Sequence, residues 1–288
     1  MDADLNENTG FGVGVAIIDT GIDLDHDDLA ANINGNVTFV RGTRNGNDDN
    51  GHGSHVAGIV AAIDNNTGVV GVSPGAHLYA VKVLDKKGSG FLSNVIGGID
   101  WVTKNSNVVA VANMSLGGSG TNDDPTDPLH EAIRNSVAAG ITYVVAAGNE
   151  GKDAKNTIPA CYDEVITISA IVDTDGQGGG LGEATVYGND GTFASFSNFG
   201  EDIDLAAPGV YILSTWKNNE YNTISGTSMS APHAAGSAAL YIRSQSGVPS
   251  PEAVRDALIN AGTAQIDSDG FNCDPDEFKE PLVNAKNL

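Results

Sequence analysis

Six short stretches, "VGVAIID" (13–19), "HLYAVKVL" (77–84), "VVAVANMSL" (108–116), "ITYVVAAG" (141–148), "VITISAI" (165–171) and "IDLAAPG" (203–209), are apolar almost without interruption. A strand wetted on one face alternates apolar with polar residues, so runs this continuous must be covered on both faces, as in parallel sheets joined by crossover helices. The intervals supply the helices, at 52–63, 92–105 and 127–139, with two more at 227–244 and 251–261. The last is framed by Ser250 as N-cap, Pro251 at the first helical position and Gly262 just past the end. The predicted fold class is α/β, a mostly parallel central β-sheet with helices on both faces. No internal repeat or linker breaks the pattern, so a single domain over 1–288 is expected.

Charge narrows the partners. With 14 Lys+Arg against 37 Asp+Glu the net charge is −23, which repels phosphate backbones and anionic lipid, so nucleic acid and membrane are not expected as partners. The acidity fits a secreted protein, a salt-adapted one, or one whose carboxylates bind cations. No run of about 18 apolar residues occurs, and "MDADLNENTG" has neither a basic nor an apolar region, so no signal peptide is expected on this chain. The 37 glycines imply many tight turns at strand ends. Cys161 and Cys273 are either one disulfide or two free thiols.

Open parallel sheets bind ligands at the carboxyl ends of their strands. That rule selects Asp19, the stretch Ser115 to Gly118, and Gly148 to Glu150. Asp19 alone suits a turn cap, a cation ligand or a catalytic acid. In "DDNGHGSHVAG", His52 and His55 do not fit the helical zinc pattern, which needs Glu after the first His and a longer step to the second. "GNEGK" lacks the spacing of a phosphate loop, and "GFGVG" precedes its strand, which excludes a dinucleotide fingerprint. Ser228 falls at the start of the 227–244 helix, with Pro232 placed in the first turn, where its missing N–H needs no partner. Ser228 is a helix cap or a nucleophile.

Taken together, "AIIDTGID", "NGHGSHVAG", "MSLGG", "VVAAGNEG", "AAPGV" and "SGTSMSAPHAAG" resemble, in order, the motifs of the subtilisin family of serine proteases. The resemblance implies a subtilisin-like fold and endopeptidase activity through an acyl-enzyme, with Ser228 as nucleophile, His52 as base and Asp19 as the acid that orients it. It implies Asn149 as an oxyanion donor beside the Ser228 N–H. Ser115, Leu116, Gly117 and Gly118 would pair with an extended substrate, giving broad specificity. Ala146, Ala147, Gly148, Glu150 and Thr157 would shape a pocket for large apolar or uncharged residues. His55 matches a structural histidine, and Met229 a methionine whose oxidation impairs the nucleophile. Ser54 and Ser230 stand where the family more often has Thr and Ala. Protein or peptide substrates, a propeptide or protein inhibitor at the active site, a monomeric state and secretion follow from the same resemblance.

The resemblance also implies calcium. "IDNNTGVVG" (63–71) matches a loop that supplies the carbonyls of Ile63, Thr67 and Val69 and the side chain of Asn65, joined by Asp28, all oxygen ligands as calcium prefers. Only 18 residues precede Asp19, so the family's N-terminal ligand is expected to be missing or replaced by Asp2 or Asp4. A second, weaker cation site is expected near Ala160, Tyr162, Val165, Asp202 and Asp204. "DTDGQ" (173–177) and "DSDGFNCDPDE" (267–277) do not complete the twelve-residue calcium pattern and read as solvated acidic turns.

Overall fold

The computed structural model describes residues 8–286 and 288; Asp2 and Asp4 lie outside them. Strands β1 (Gly14–Asp19), β2 (Ile33–Thr38), β3 (His77–Lys82), β4 (Val111–Met114), β6 (Thr142–Ala146), β8 (Ile166–Val172) and β10 (Leu205–Pro208) form one sheet in the order β10-β8-β6-β4-β1-β3-β2. Every neighbouring pair in that order is parallel. The short β9 (Thr192–Phe193) adds to β8 antiparallel. Helices α1 (His52–Ala61), α4 (Thr227–Ser244) and α5 (Pro251–Ala261) cover one face, and α2 (Leu92–Lys104) and α3 (Pro128–Ala138) the other.

Both faces are therefore core. On β1, Val15 and Ile17 pack with Val56, Val60 and Ala235, while Ala16 and Ile18 pack with Val95, Ile99 and Ile133. Each fully buried Val, Ile or Leu contributes roughly 1.5–3 kcal/mol, which is why these strands carry no polar stripe.

Two helix starts follow from local chemistry. Asp127 caps α3 by accepting the Leu129 N–H at 2.9 Å, and Ser250 caps α5 through Ala253 N–H at 3.2 Å, each with Pro at the next position. Gly262 does end α5, but in extended conformation (φ −62°, ψ 151°), so it is not the left-handed terminator glycine usually supplies. It is small because a Cβ there would lie 2.8 Å from the Pro281 ring. Pro232 also departs from expectation: α4 begins at Thr227, which puts Pro232 in the second turn. Its missing N–H then leaves the Ser228 carbonyl without a helical donor.

The structure adds elements the apolar runs did not mark. β2 is a half-exposed edge strand. β11 (Ile212–Trp216) and β12 (Glu220–Ile224) form a hairpin whose turn places Asn218 and Asn219 at positive φ, a conformation asparagine tolerates. β5 (Gly118–Ser119) pairs with β7 (Thr157–Ile158) antiparallel. Cys161 and Cys273 are both free.

Candidate active site

From β1 the chain passes to β2 and β3 on one side and returns to β4 on the other, so the strand order reverses at β1 and a crevice opens at its carboxyl end. Asp19, the last residue of β1, is fully buried there. Its carboxylate accepts the Thr20 N–H at 2.7 Å and faces His52 Nδ1 at 2.8 and 2.9 Å. Because a carboxylate only accepts, Nδ1 carries the proton and Nε2 is left as the basic nitrogen of the neutral ring. Burial of the ring works against its charge, but the charge and hydrogen bond of Asp19, with a contribution from Asp48, outweigh it and raise the His52 pKa above its ordinary value.

His52 opens α1, and its approach is built by neighbours. Asp48, buried, accepts the N–H groups of Asn50, Gly51 and Ser54 and the Ser54 hydroxyl at 2.7–3.0 Å, placing a negative charge where a helix N-terminus favours one. At Gly53 a Cβ would lie 2.1 Å from the Gly21 carbonyl, so only glycine lets α1 close on β1. His55, one turn on, faces away from the crevice and hydrogen-bonds the Ile212 and Asn222 carbonyls of the hairpin.

Ser228 is the second residue of α4 and half-buried; at that position its N–H has no intrahelical acceptor. Its hydroxyl donates to the Ser115 carbonyl at 3.2 Å, and among the described residues no hydrogen bond joins it to His52. The carbonyl left open by Pro232 is taken by the Ser115 hydroxyl at 2.9 Å, itself held by Asn113 Nδ2 at 2.9 Å. Asn149 Oδ1 accepts from the Thr227 N–H (2.8 Å) and hydroxyl (3.1 Å). Since those donors require an oxygen, the Asn149 NH2 group is turned the other way, into the hollow it lines with Ser228.

Two hollows meet along Ser115 to Gly118. One, about 310 Å³, is lined by Ala146, Gly148, Asn149, Glu150, Thr157 and Ser228. Lys152 is a wall residue the sequence reading missed, 3.8 Å from the Glu150 carboxylate. Ala147 corrects an expectation: it is fully buried behind the wall, packed with Ala154 and Ile203. Behind it the buried Asn198 bonds the Ala147 carbonyl, the N–H groups of Glu150 and Lys152, and the Thr157 hydroxyl at 2.9–3.2 Å. The other hollow, about 650 Å³, runs past His52 and is walled by Leu84, Leu92, Val95, Leu116, Leu129 and Ile158. These come from segments far apart in the chain, so no local pattern announces them.

The expected calcium ligands also meet. Asp28 is fully buried, and its carboxylate accepts from Asn65 Nδ2 (2.7 Å), the Val69 N–H (3.2 Å) and the Tyr221 hydroxyl (2.7 Å). Among the described residues it pairs with no cationic side chain, and the carbonyls of Ile63, Thr67 and Val69 accept no hydrogen bond. A buried carboxylate beside three free carbonyls is a donor set that fits a hard cation. The second expected group is more occupied: Arg255 forms an ion pair with Asp204, and the Thr167 hydroxyl takes the Ala160 carbonyl at 2.7 Å. Tyr162 and Val165 are buried beside it, and Asp202 is half-buried.

A family model described as the subtilase family matches residues 10–275. The chain is 43% identical over 262 residues to Subtilisin DY of Bacillus licheniformis, covering 90% of this chain and 86% of that one. It is 39% identical over 256 residues to Subtilisin Savinase of Lederbergia lenta, covering 89% and 85%. Its structure resembles that of a cold adapted subtilisin-like serine proteinase, with TM-score 0.78, 33% identity, and coverage of 96% of this chain and 91% of that one.

Proposed function

This chain belongs to the subtilase family and is a serine-type endopeptidase acting on protein or peptide substrates; we propose that Asp19, His52 and Ser228 are its catalytic triad. The observation that carries this reading is the buried Asp19 bonded to His52 Nδ1, with Ser228 on the helix N-terminus that borders the same groove. Turning about its Cα–Cβ bond, the Ser228 hydroxyl leaves the Ser115 carbonyl and meets His52 Nε2. As Oγ bonds to the scissile carbon, its proton passes to Nε2 and the carbonyl electron pair moves onto oxygen. The oxyanion is received by the Ser228 N–H and Asn149 Nδ2, donors fixed before the reaction begins. Collapse expels the amine, which takes the proton from the imidazolium; water then repeats the sequence on the acyl-enzyme.

The hollow beside Asn149 has small walls, which suits a large apolar or uncharged residue before the cut, and the neighbouring Lys152 offsets the charge of Glu150. Main-chain pairing along Ser115 to Gly118 supports broad specificity. Asp28 and the 63–69 loop are proposed to hold calcium, which when bound ties that loop down and takes no part in the chemistry. A weaker cation near Asp204 would compete with Arg255. The closeness to bacterial subtilisins supports an extracellular location, a monomer, and inhibition by a propeptide or protein inserted in the groove; no helix of the described residues is long and apolar enough to cross a membrane.

The test is hydrolysis of a chromogenic peptide ending in a large apolar residue by the parent, Asp19→Asn and His52→Ala. The proposal expects kcat to fall at least about 10⁴-fold in each variant. Parent-like turnover by folded His52→Ala would remove the triad.

A further inference from the structure

We infer that Lys82 is a positioning residue for the Asp19–His52 pair, an inference that rests on the roles proposed for those two groups. Lys82 ends β3 in register with Asp19 on β1 and is fully buried. A buried ammonium is costly unless its donors are all matched. Here Nζ donates to the Thr20 carbonyl, to the Leu84 carbonyl at 3.0 Å and to Asp49 Oδ1 at 2.6 Å.

Each acceptor leads to the site. The Thr20 N–H donates to Asp19 Oδ1 (2.7 Å), and its hydroxyl oxygen accepts the Gly53 N–H of α1 (2.9 Å). Asp49 belongs to the loop that delivers His52, whose own N–H is accepted by Asn50 Oδ1 at 3.1 Å. Leu84 walls the larger hollow. The same strand end also holds Asp19 directly, since the Val83 and Leu84 N–H groups donate to its carbonyl at 2.9 and 3.2 Å. One ammonium thus joins the segment carrying the acid to the segment carrying the base, and fixes the separation across which the imidazole hydrogen bond forms.

Lys82 also balances charge. The titratable groups that bear on the imidazole are Asp19 from β1, Asp48 from the loop and His55 from α1; Asp49, the next residue after Asp48, is the carboxylate that Lys82 pairs. Lys217 from the hairpin turn donates to the Asp49 carbonyl at 3.0 Å, and Lys87 lines the hollow beside His52. Of the cations named, Lys82 alone forms an ion pair among these carboxylates. Without it, Asp49 adds an unbalanced negative charge that favours the imidazolium.

The experiment is steady-state kinetics from pH 5 to 10 on the parent, Lys82→Met, Asp49→Asn, the double variant and His52→Ala. Lys82→Met is expected to lower kcat about tenfold or more with KM within about twofold, and to move the acid limb of kcat/KM up by about half a pH unit. Asp49→Asn should move that limb down, and the double variant should return it toward the parent. A folded Lys82→Met with parental kcat and acid limb, or with only a lower melting temperature, overturns the inference. If Lys82→Met does not fold, Asp49→Asn decides: its side chain is 43% exposed, so the fold should persist, and an unmoved acid limb refutes the charge role. Activity surviving in His52→Ala would instead sink the triad itself.

Discussion

His55 should make this protein acid-labile, and the size of the effect can be worked from its contacts. Its Nε2 lies 3.0 and 3.1 Å from the Ile212 and Asn222 carbonyls, so that nitrogen carries the proton; Nδ1 is buried with no partner. Charging the ring would put a second N–H where nothing accepts it. Burial accordingly pulls the pKa down from an ordinary 6.5 to about 4, against the pull of the two carbonyls. In the unfolded chain the ring takes its proton near 6.5, and in the folded chain it does not until about pH 4. Stability from this residue is therefore complete above pH 6.5 and lost progressively down to pH 4. At about 1.4 kcal/mol per pH unit the loss is on the order of 3 kcal/mol. The assay is urea unfolding from pH 7.5 to 4 of Ser228→Ala, which cannot digest itself, with and without His55→Gln. His233, buried and likewise lowered to about 4, is common to both chains and cancels. The variant should start less stable and approach the parent by about 3 kcal/mol as pH falls. Parallel curves would refute the assignment of Nδ1 as an unprotonated, unpartnered nitrogen.

Three further outcomes are expected. Asn149→Ala should lower kcat about 10²–10³-fold, a magnitude established for a single oxyanion donor in the related subtilisin, while KM changes little; a change confined to KM would contradict the donor role. Chelation of calcium should lower the melting temperature of Ser228→Ala by about 5 °C, and an unchanged melt would remove the cation from Asp28. Ser115→Ala strands the Ser228 carbonyl and should cost about 1–3 kcal/mol; adding Pro232→Ala returns a helical N–H to that carbonyl and should recover part of the loss, whereas simple additivity in a double-mutant cycle would show the hydroxyl is not its substitute.

The parts of the fold legible in the sequence were those whose burial leaves a continuous mark. β1, β3, β4, β6, β8 and β10 are covered on both faces and read as apolar runs, and α3 and α5 carry their own Asp or Ser cap before Pro. β2 was missed because an edge strand with its side chains half in water needs no such run: "INGNVT" looks like a turn. The β11–β12 hairpin was missed because its signal is the backbone of Asn218 and Asn219, and not a glycine. Pro232 stands in the second turn because α4 begins at Thr227 with no side-chain cap to mark the start, and only that placement gives the Ser115 hydroxyl its purpose. Motif residues were legible because the chemistry fixes their types, but their supports were not. Thr20 and Asn198 act through backbone groups far away in sequence, and Ala147 looks like its pocket-lining neighbours until burial separates them. Lys82 did leave a trace, one charge inside "HLYAVKVL", since a lysine tolerated in a strand covered on both faces must have matched its donors.

The central claim is that Ser228 is a nucleophile activated by His52 and Asp19, and the most direct measurement is covalent labelling. The parent, Ser228→Ala and His52→Ala are treated with a serine-directed phosphonylating reagent, and the adduct is mapped by peptide mass spectrometry as turnover is followed. The account predicts one adduct, on Ser228 of the parent, in step with the loss of turnover, with none in Ser228→Ala and labelling slowed by orders of magnitude in His52→Ala. A folded parent left unlabelled at Ser228 while hydrolysis continues would contradict it.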